Sequence, residues 1–429
     1  MLLSPRSGFT WLFILPLVLA PPAQAEDWPQ WRGPNRDGSW TETGILETFP
    51  PGGLKIRWRA PVGIGFSSPV VARGRVYVTD SVLLDRPKAR ERVHAFDEVT
   101  GKSVWSYSYD VNYPDLAFSD RYPGGPIATP VVTDGRIYTL GNVGHLFCLD
   151  ALQGDVIWQR DLQKEFPASK ICTSPSPLIE GDLVIVLVSA KPGASVIAVE
   201  KSTGKHVWKS LDEGPTASSP IVITAAATRQ LIVWTDQSVT ALAPATGSTL
   251  WRQRLNTTQD AAVSTPVYHD GYLLIGGLML QLDRDKPAAT VLWPQSRATS
   301  CRILSDTSTA LFRDDFVYSA RSFGEFVCLD AKTGKQLWET DKVTDKKSGA
   351  SVHPTANGSS VLLYNDRGEL IRAKLTPGGY HEVSRARVLE PAVTYSGRKC
   401  AWAAPAYANG HIYARTNKEL VCASLAAEP

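Results

Sequence analysis

Short apolar runs bounded by turn residues recur along this chain in a fixed order. One phrase places an apolar pair after a proline, then a turn, then a second apolar run: Ser68-Pro69-Val70-Val71 leads to Arg75-Val76-Tyr77-Val78, and Thr129-Pro130-Val131-Val132 leads to Arg136-Ile137-Tyr138. A second phrase follows it, reading FCLDALQGDVIW at 147–158 and VCLDAKTGKQLW at 327–338. Its other copies are HAFDEVTGKSVW (94–105), IAVEKSTGKHVW (197–208), TALAPATGSTLW (240–251) and the stretched LQLDRDKPAATVLW (280–293). Together the two phrases predict four short antiparallel strands per unit, the content of one propeller blade.

The repeated words have a turn chemistry. An acidic residue or its equivalent ends the third strand, and a glycine (Gly101, Gly154, Gly204, Gly247, Gly334) supplies the positive φ that closes the hairpin. The tryptophan that follows lies on the fourth strand, where its indole can wedge against the neighbouring blade. Trp105, Trp158, Trp208, Trp251, Trp293 and Trp338 are spaced by about 40 to 55 residues, a blade-sized period. A seventh unit, VHPTANGSSVLLYNDRGELIRAKL with HEVSRARVL, lacks the tryptophan and carries Val388 near its place. The eighth, APAYANGHIYARTNKELVCASL, stops after three strands, and Leu54-Lys55-Ile56-Arg57-Trp58 is a lone tryptophan-bearing strand at the other end. The expected fold is an all-β, eight-bladed propeller over 54–429, its ring closed by the N-terminal strand in the last blade, which leaves no exposed edge between the chain ends.

Composition agrees: 33 Gly, 30 Pro and 13 Trp in 429 residues suit many strands and turns. Residues 1–25 read as a secretory signal, with Arg6, an apolar run too short to span a bilayer and Ala23-Gln24-Ala25 as a cleavage site. No cysteine follows the cut, so no lipid anchor is expected, and no membrane span is expected after signal removal. Residues 26–53 form an irregular leader expected to pack along the ring, with Trp28 and Trp31 as anchors. With 45 Lys and Arg against 42 Asp and Glu, the chain lacks the basic excess of a nucleic-acid binder.

The DAxTGKxxW hairpin and the Pro-Val-Val strand opening resemble the PQQ-repeat β-propellers, a group that includes quinoprotein alcohol dehydrogenases and an outer-membrane assembly lipoprotein. The resemblance runs from about residue 54 to 425 and is specific for fold rather than activity. DWPQWRGPNRDG, residues 27–38, resembles the opening of exported PQQ-repeat proteins of planctomycete-type bacteria. In the dehydrogenases the resemblance implies PQQ, Ca²⁺, a catalytic Asp and a disulfide between adjacent cysteines. Here no two Cys are adjacent, no CxxCH is present, and neither the calcium ligands nor the catalytic Asp map onto a matching motif.

Six cysteines in an exported chain invite disulfides, and Cys400 with Cys422 or Cys301 with Cys328 fall within single blades. Cys148, Cys328 and Cys422 equally occupy the third-strand position that holds Ala95, Ala198 and Ala241 in other copies, the place of a small buried residue. No CxxC, GxSxG or HExxH occurs, so no metal or hydrolytic site is expected, and Thr100-Gly101-Lys102-Ser103 joins strand to strand, unlike a phosphate-binding loop. Segments leading from the outer strand of one blade to the inner strand of the next gather at one channel mouth, where propellers commonly bind. Those segments carry Arg121, Lys170, Arg302, Lys347, His353, Arg398 and Trp402, which together would form a cationic, partly aromatic funnel for an anionic ligand or an acidic peptide. The competing expectation is ordinary solvated loop charge offset by Asp115, Asp120 and Asp306.

The reading is thus a monomeric, periplasmic or secreted, non-catalytic binding or scaffold propeller without a cofactor. The alternatives are a divergent PQQ- and calcium-dependent oxidoreductase and a glycan-binding or carbohydrate-active propeller.

Overall fold

The computed structural model describes residues 26–427 apart from 120–121, 167–174, 191, 256–261, 295–303, 306 and 396. The proposed signal segment and Arg121, Lys170, Arg302, Cys172 and Cys301 therefore lie outside the described residues. Eight four-stranded antiparallel sheets make up the fold, with two two-stranded ribbons in the connections. In the first blade the strands run from the channel outward as Val70–Ala72, Arg75–Leu83, Lys88–Asp97 and Ser103–Asn112. In the eighth, Ala406–Ala408, His411–Arg415 and Glu419–Ser424 are completed by Ile56–Pro61 from the other end of the chain, with Trp58 opposite Cys422. The ring closes as the sequence predicts.

Two contacts, repeated around the ring, explain the repeated words. At the inner end, the residue before proline in one blade donates its amide to a Ser or Thr hydroxyl at the same position of the next: Ser68 to Thr129, Thr129 to Ser176, Ser176 to Ser219 and Thr265 to Thr309, all at 2.9–3.0 Å. Each hydroxyl satisfies an amide that starts an inner strand and would otherwise be buried unpaired. At the outer end, every wedge indole but that of Trp251 donates its N–H to the hairpin turn of the following blade: Trp58 to Glu98 O, Trp105 to Ala151 O, Trp158 to Lys201 O, Trp208 to Pro244 O, Trp293 to Ala331 O and Trp338 to Thr376 O. The turn glycine then lies under the ring face. A Cβ on Gly101, Gly154, Gly204, Gly247 or Gly334 would fall 2.5–2.8 Å from that indole. These glycines are thus required twice, for φ near +70° and for the approach of the wedge. Burying roughly 200 Å² of indole contributes on the order of 4 kcal/mol per junction.

The third-strand cysteines fit the same scheme. Cys148 sits between Tyr138 and Trp158 in the sheet register, Cys328 between Tyr318 and Trp338, and Cys422 between Tyr413 and Trp58. A small side chain is what two flanking aromatics leave room for, as with Ala95 between Tyr77 and Trp105. Cys148, Cys328, Cys400 and Cys422 are all buried free thiols, so the pairing of Cys400 with Cys422 does not form, and that of Cys301 with Cys328 involves a residue outside those described. Burial pushes the Cys148, Cys328 and Cys400 thiols up to about 11 and Cys422 to about 12, which leaves them unreactive.

In the seventh blade the tryptophan position is not Val388 but Ser384, which stands opposite Arg372 just before the bulge that every blade carries there. Val388 lies beyond the strand and bonds the Gly368 carbonyl. The leader fills the vacancy: Phe49, 5% exposed, donates its amide to Ser384 Oγ at 3.0 Å, and Glu47 pairs with Arg372 at 3.3 Å.

Candidate functional site: the plugged channel and its loop-bearing mouth

The innermost strands of a propeller turn their unpaired edges toward the central channel, and here the leader takes up that hydrogen-bonding capacity. Trp28 exchanges amide and carbonyl bonds with Val71 of the first blade, both 2.9 Å, and the Pro29 carbonyl accepts from Val132 of the second. Trp31 Nε1 donates to Thr265 Oγ1 at 2.8 Å, ahead of the fifth blade, and Trp40 and Gly38 pair with Ala356 of the seventh. Residues 26–42 of the leader therefore enter the channel as a hairpin whose turn carries Arg32 and Arg36, while Leu46, Glu47 and Phe49 pack along the ring where the seventh and eighth blades meet.

The base of the hairpin is tied by carboxylates. Glu26 accepts from the Thr41 amide and hydroxyl at 3.0 and 2.8 Å, and Glu42 accepts from the amides of Glu26, Asn409 and Gly410 at 2.5–3.0 Å. Trp28 and Trp40, both almost fully buried, flank Tyr407 of the eighth blade with ring centroids 5.7 and 5.4 Å away. The turn itself is formed with Gly33 and Gly38 at φ 86° and 76° and with Arg32 and Arg36 at 62° and 57°. A left-handed backbone suits glycine and is unfavourable for arginine.

Four of the loop residues singled out in the sequence are described. Three come together at the mouth, where the seventh blade passes to the eighth. Trp402 Nε1 donates to Gly349 O at 3.0 Å, and its ring meets Tyr395 edge-on at 4.9 Å. His353 Nε2 lies 2.9 Å from the Trp402 carbonyl. Burial holds its imidazole down at about 4, although that hydrogen bond works the other way, so His353 is neutral at pH 7. The Arg398 side chain is 7% exposed and bonds Asp366 Oδ2 at 2.7 Å, and the Asp366 carboxylate also accepts from the Ser351 amide. Lys347 alone of the four is solvent-exposed. Among the described residues the charge at this mouth is thus largely compensated within the protein.

The same mouth carries apolar side chains in water. Phe323, between the second and third strands of the sixth blade, is 64% exposed, and Leu116, leading out of the first blade, is 63% exposed. Leu84, in the lengthened hairpin between Arg75–Leu83 and Lys88–Asp97, is 41% exposed. The leader arginines, Trp40 and Glu42 were not singled out from the sequence as site residues. The available signal was the density of Trp, Gly and Arg in DWPQWRGPNRDG.

The plug leaves little room. A cavity of about 20 Å³ remains beside it, lined by Trp31, Arg32, His353 and Thr355 among others, enough for one water. Among the described residues no three His, Cys, Asp or Glu side chains gather as metal ligands. Neither this space nor this donor set fits a three-ring quinone and its calcium ion. No helix among the described residues is long and apolar enough to cross a membrane.

The family model described as outer membrane protein assembly factor BamB matches residues 89–278 and 235–428. The BamB of Moranella endobia is 24% identical over 257 residues, which cover 56% of this chain and 62% of that protein. The quinoprotein ethanol dehydrogenase of Pseudomonas aeruginosa is 32% identical over 108 residues, 25% of this chain and 15% of that one. The chain thus spans under two thirds of the length of either relative. The crystal structure of the quinohemoprotein alcohol dehydrogenase from Comamonas testosteroni superposes with a TM-score of 0.65 at 14% identity, over 94% of this chain and 81% of that one. The repeat, the ring and the matched residues agree: the chain belongs to the PQQ-repeat β-propeller family described as outer membrane protein assembly factor BamB.

Proposed function

We propose that this protein works in the cell envelope as a rigid, non-catalytic ring that binds a protein partner across its loop-bearing mouth. The plug carries the reading. Small-molecule sites are concave chambers of about 300–1,000 Å³, and the leader hairpin fills the chamber that a propeller would otherwise offer. The fourth-strand indoles Trp105, Trp158 and Trp208 are engaged with neighbouring blades, which also counts against a glycan platform. The mouth instead presents separated exposed apolar side chains, Phe323, Leu116 and Leu84, and the exposed Lys347, the composition of a protein-contact surface. The assembly-factor description of the Moranella relative points the same way.

Photo-crosslinking in cells tests it. A crosslinker at Phe323 is expected to give a discrete protein adduct, and one at Val99, in a hairpin turn on the opposite face, none. Equal labelling from both positions, or none from Phe323, overturns the reading. The dehydrogenase relatives favour a second reading, a PQQ- and calcium-dependent oxidoreductase. Incubation of the purified protein with PQQ and Ca²⁺ is expected to give no quinone uptake and no dye reduction, and stoichiometric uptake with turnover would replace the scaffold with that enzyme.

A further inference from the structure

Glu42 of the leader hairpin is a buried carboxylate without a side-chain counter-charge. It is 7% exposed, and among the described residues no Lys, Arg or His side chain pairs with it. Other buried carboxylates of the ring have such a partner: Asp80 is held by Arg92 through two bonds of 2.7 Å, Asp366 by Arg398 at 2.7 Å, and Glu369 by Arg367 and Arg385 at 2.8 Å each. A carboxylate removed from water is costly unless it is paired and hydrogen-bonded. Glu91, met by the Tyr109 and Tyr113 hydroxyls and the Asn142 amide at 2.5–3.0 Å, shows that neutral donors do not fully offset burial, which pushes its carboxyl up.

The donors around Glu42 are three main-chain nitrogens. Oε1 accepts from Glu26 at 3.0 Å and from Asn409 at 2.5 Å, and Oε2 accepts from Gly410 at 2.7 Å. Asn409 and Gly410 form the tight turn, φ 52° and 72°, between Ala406–Ala408 and His411–Arg415 of the eighth blade. The Glu42 carbonyl accepts from Asn357 Nδ2 at 3.0 Å, beside the corresponding turn of the seventh blade. One residue thus ties the leader to the blade that closes the ring. Glu26 is held in place at its own side chain, which accepts from the Thr41 amide and hydroxyl at 3.0 and 2.8 Å. Glu26 is also the residue that follows Ala23-Gln24-Ala25, the cleavage site read from the sequence. Two independent observations, a cleavage motif and a buried carboxylate lacking a cation, meet on one nitrogen.

We propose that the bond joining Ala25 to Glu26 is a processing site whose cleavage fastens the plug, because the freed α-ammonium of Glu26 becomes the counter-ion of Glu42. A signal peptidase adds one water across the C–N bond, leaving a carboxylate on Ala25 and an ammonium on Glu26. In the unprocessed chain this nitrogen is a neutral amide with one hydrogen to donate. After cleavage it is an α-amino group, mostly protonated at pH 7, and its bond to Oε1 becomes charge-assisted. A cut one residue to either side would shift the charge by roughly 3.8 Å, more than the length of a hydrogen bond. Export and the seating of the leader hairpin are thereby coupled, whatever docks on the mouth.

N-terminal sequencing of the exported protein must begin Glu26-Asp27-Trp28, and any other start overturns the proposal. Hydrogen exchange at pH 7 then compares the full chain starting at Glu26 with one that retains Gln24 and Ala25. Amides of residues 27–42 are expected to exchange about tenfold more slowly in the chain starting at Glu26, and equal exchange overturns the ion pair. In Glu42→Gln, which keeps an oxygen acceptor and loses the charge, the two starts should exchange alike. A tenfold difference that persists there would assign the effect to chain length and overturn the proposal. Should that variant not fold, acetylation of the Glu26 amine decides, since it removes the charge and leaves Glu42 intact. The acetylated chain must show the faster exchange, and protection retained after acetylation overturns the ion pair.

Discussion

Between the second and third blades, Trp158 lays its indole over Gly204 and donates to the Lys201 carbonyl. Between the seventh and eighth, Ser384 stands where the indole would be, and Phe49 of the leader closes the gap. The two junctions differ because their targets differ. A wedge needs a hairpin turn on the following blade to rest against, and in the eighth blade the third and fourth strands come from opposite ends of the chain, with no turn between them. Where the local device has no partner, a segment distant in sequence takes its place. The repeat is therefore self-sufficient around most of the ring and depends on the leader at the closure.

The comparison is broken most severely at the turn glycines. Gly204→Val places a branched side chain at φ +73° with its Cβ 2.7 Å from the Trp158 ring, and is expected to cost about 4 kcal/mol. Chemical denaturation measures it, and a loss under about 1 kcal/mol would mean the wedge is not a rigid contact. Phe49→Ala attacks the other junction and should cost about 3 kcal/mol. Because Phe49 lies outside the repeat, the same experiment should show increased hydrogen exchange in Ile56–Pro61 and Glu419–Ser424 first.

A smaller effect separates one wedge from the rest. Trp251 bonds a side chain, Gln230 Oε1 at 2.7 Å, where six other wedges bond backbone carbonyls of the following blade's turn. The turn ahead of it, Asp283 to Lys286, has no glycine to admit the indole. Gln230→Leu should leave the indole N–H buried and unpaired and lower stability by about 2 kcal/mol, seen as a lower denaturation midpoint with unchanged m-value. The mildest test is pH. His353 is neutral in the fold, with its pKa lowered to about 4 against 6.5 unfolded. Its contribution is complete above pH 6.5 and is lost as pH falls toward 4, by on the order of 1 kcal/mol per unit. His353→Gln should flatten the acid limb of the stability profile over that window, and an unchanged limb would assign it to other groups.

Much of this was legible in local words. Leu149, Asp150, Gly154 and Trp158 recur as Leu329, Asp330, Gly334 and Trp338, and each word names a contact made within one blade or with the next. The reading failed where register or distance decided. Val388 is not the missing wedge because the hairpin of the seventh blade is longer than its counterparts, pairing Arg372 with Ser384 where the second blade pairs Cys148 with Trp158, and the residue at the wedge position is a serine with no sequence signal of its own. The loop charges looked open because Arg398 meets Asp366 across 32 residues of intervening chain. The leader showed its tryptophans and concealed its destination, since its partners are strand edges in the first, second and seventh blades.

By itself the sequence determined the blade, its number and the closing strand, because turn glycines, strand alternation and the indole wedge act over a few residues and repeat. Only the tertiary structure decided that the leader fills the channel, that Ser384 and Phe49 seal the last junction and that Arg398 is met by Asp366. Those outcomes depend on which groups a closed ring leaves unpaired, and the hydrogen bonds and counter-charges that must satisfy them come from residues far apart in the chain.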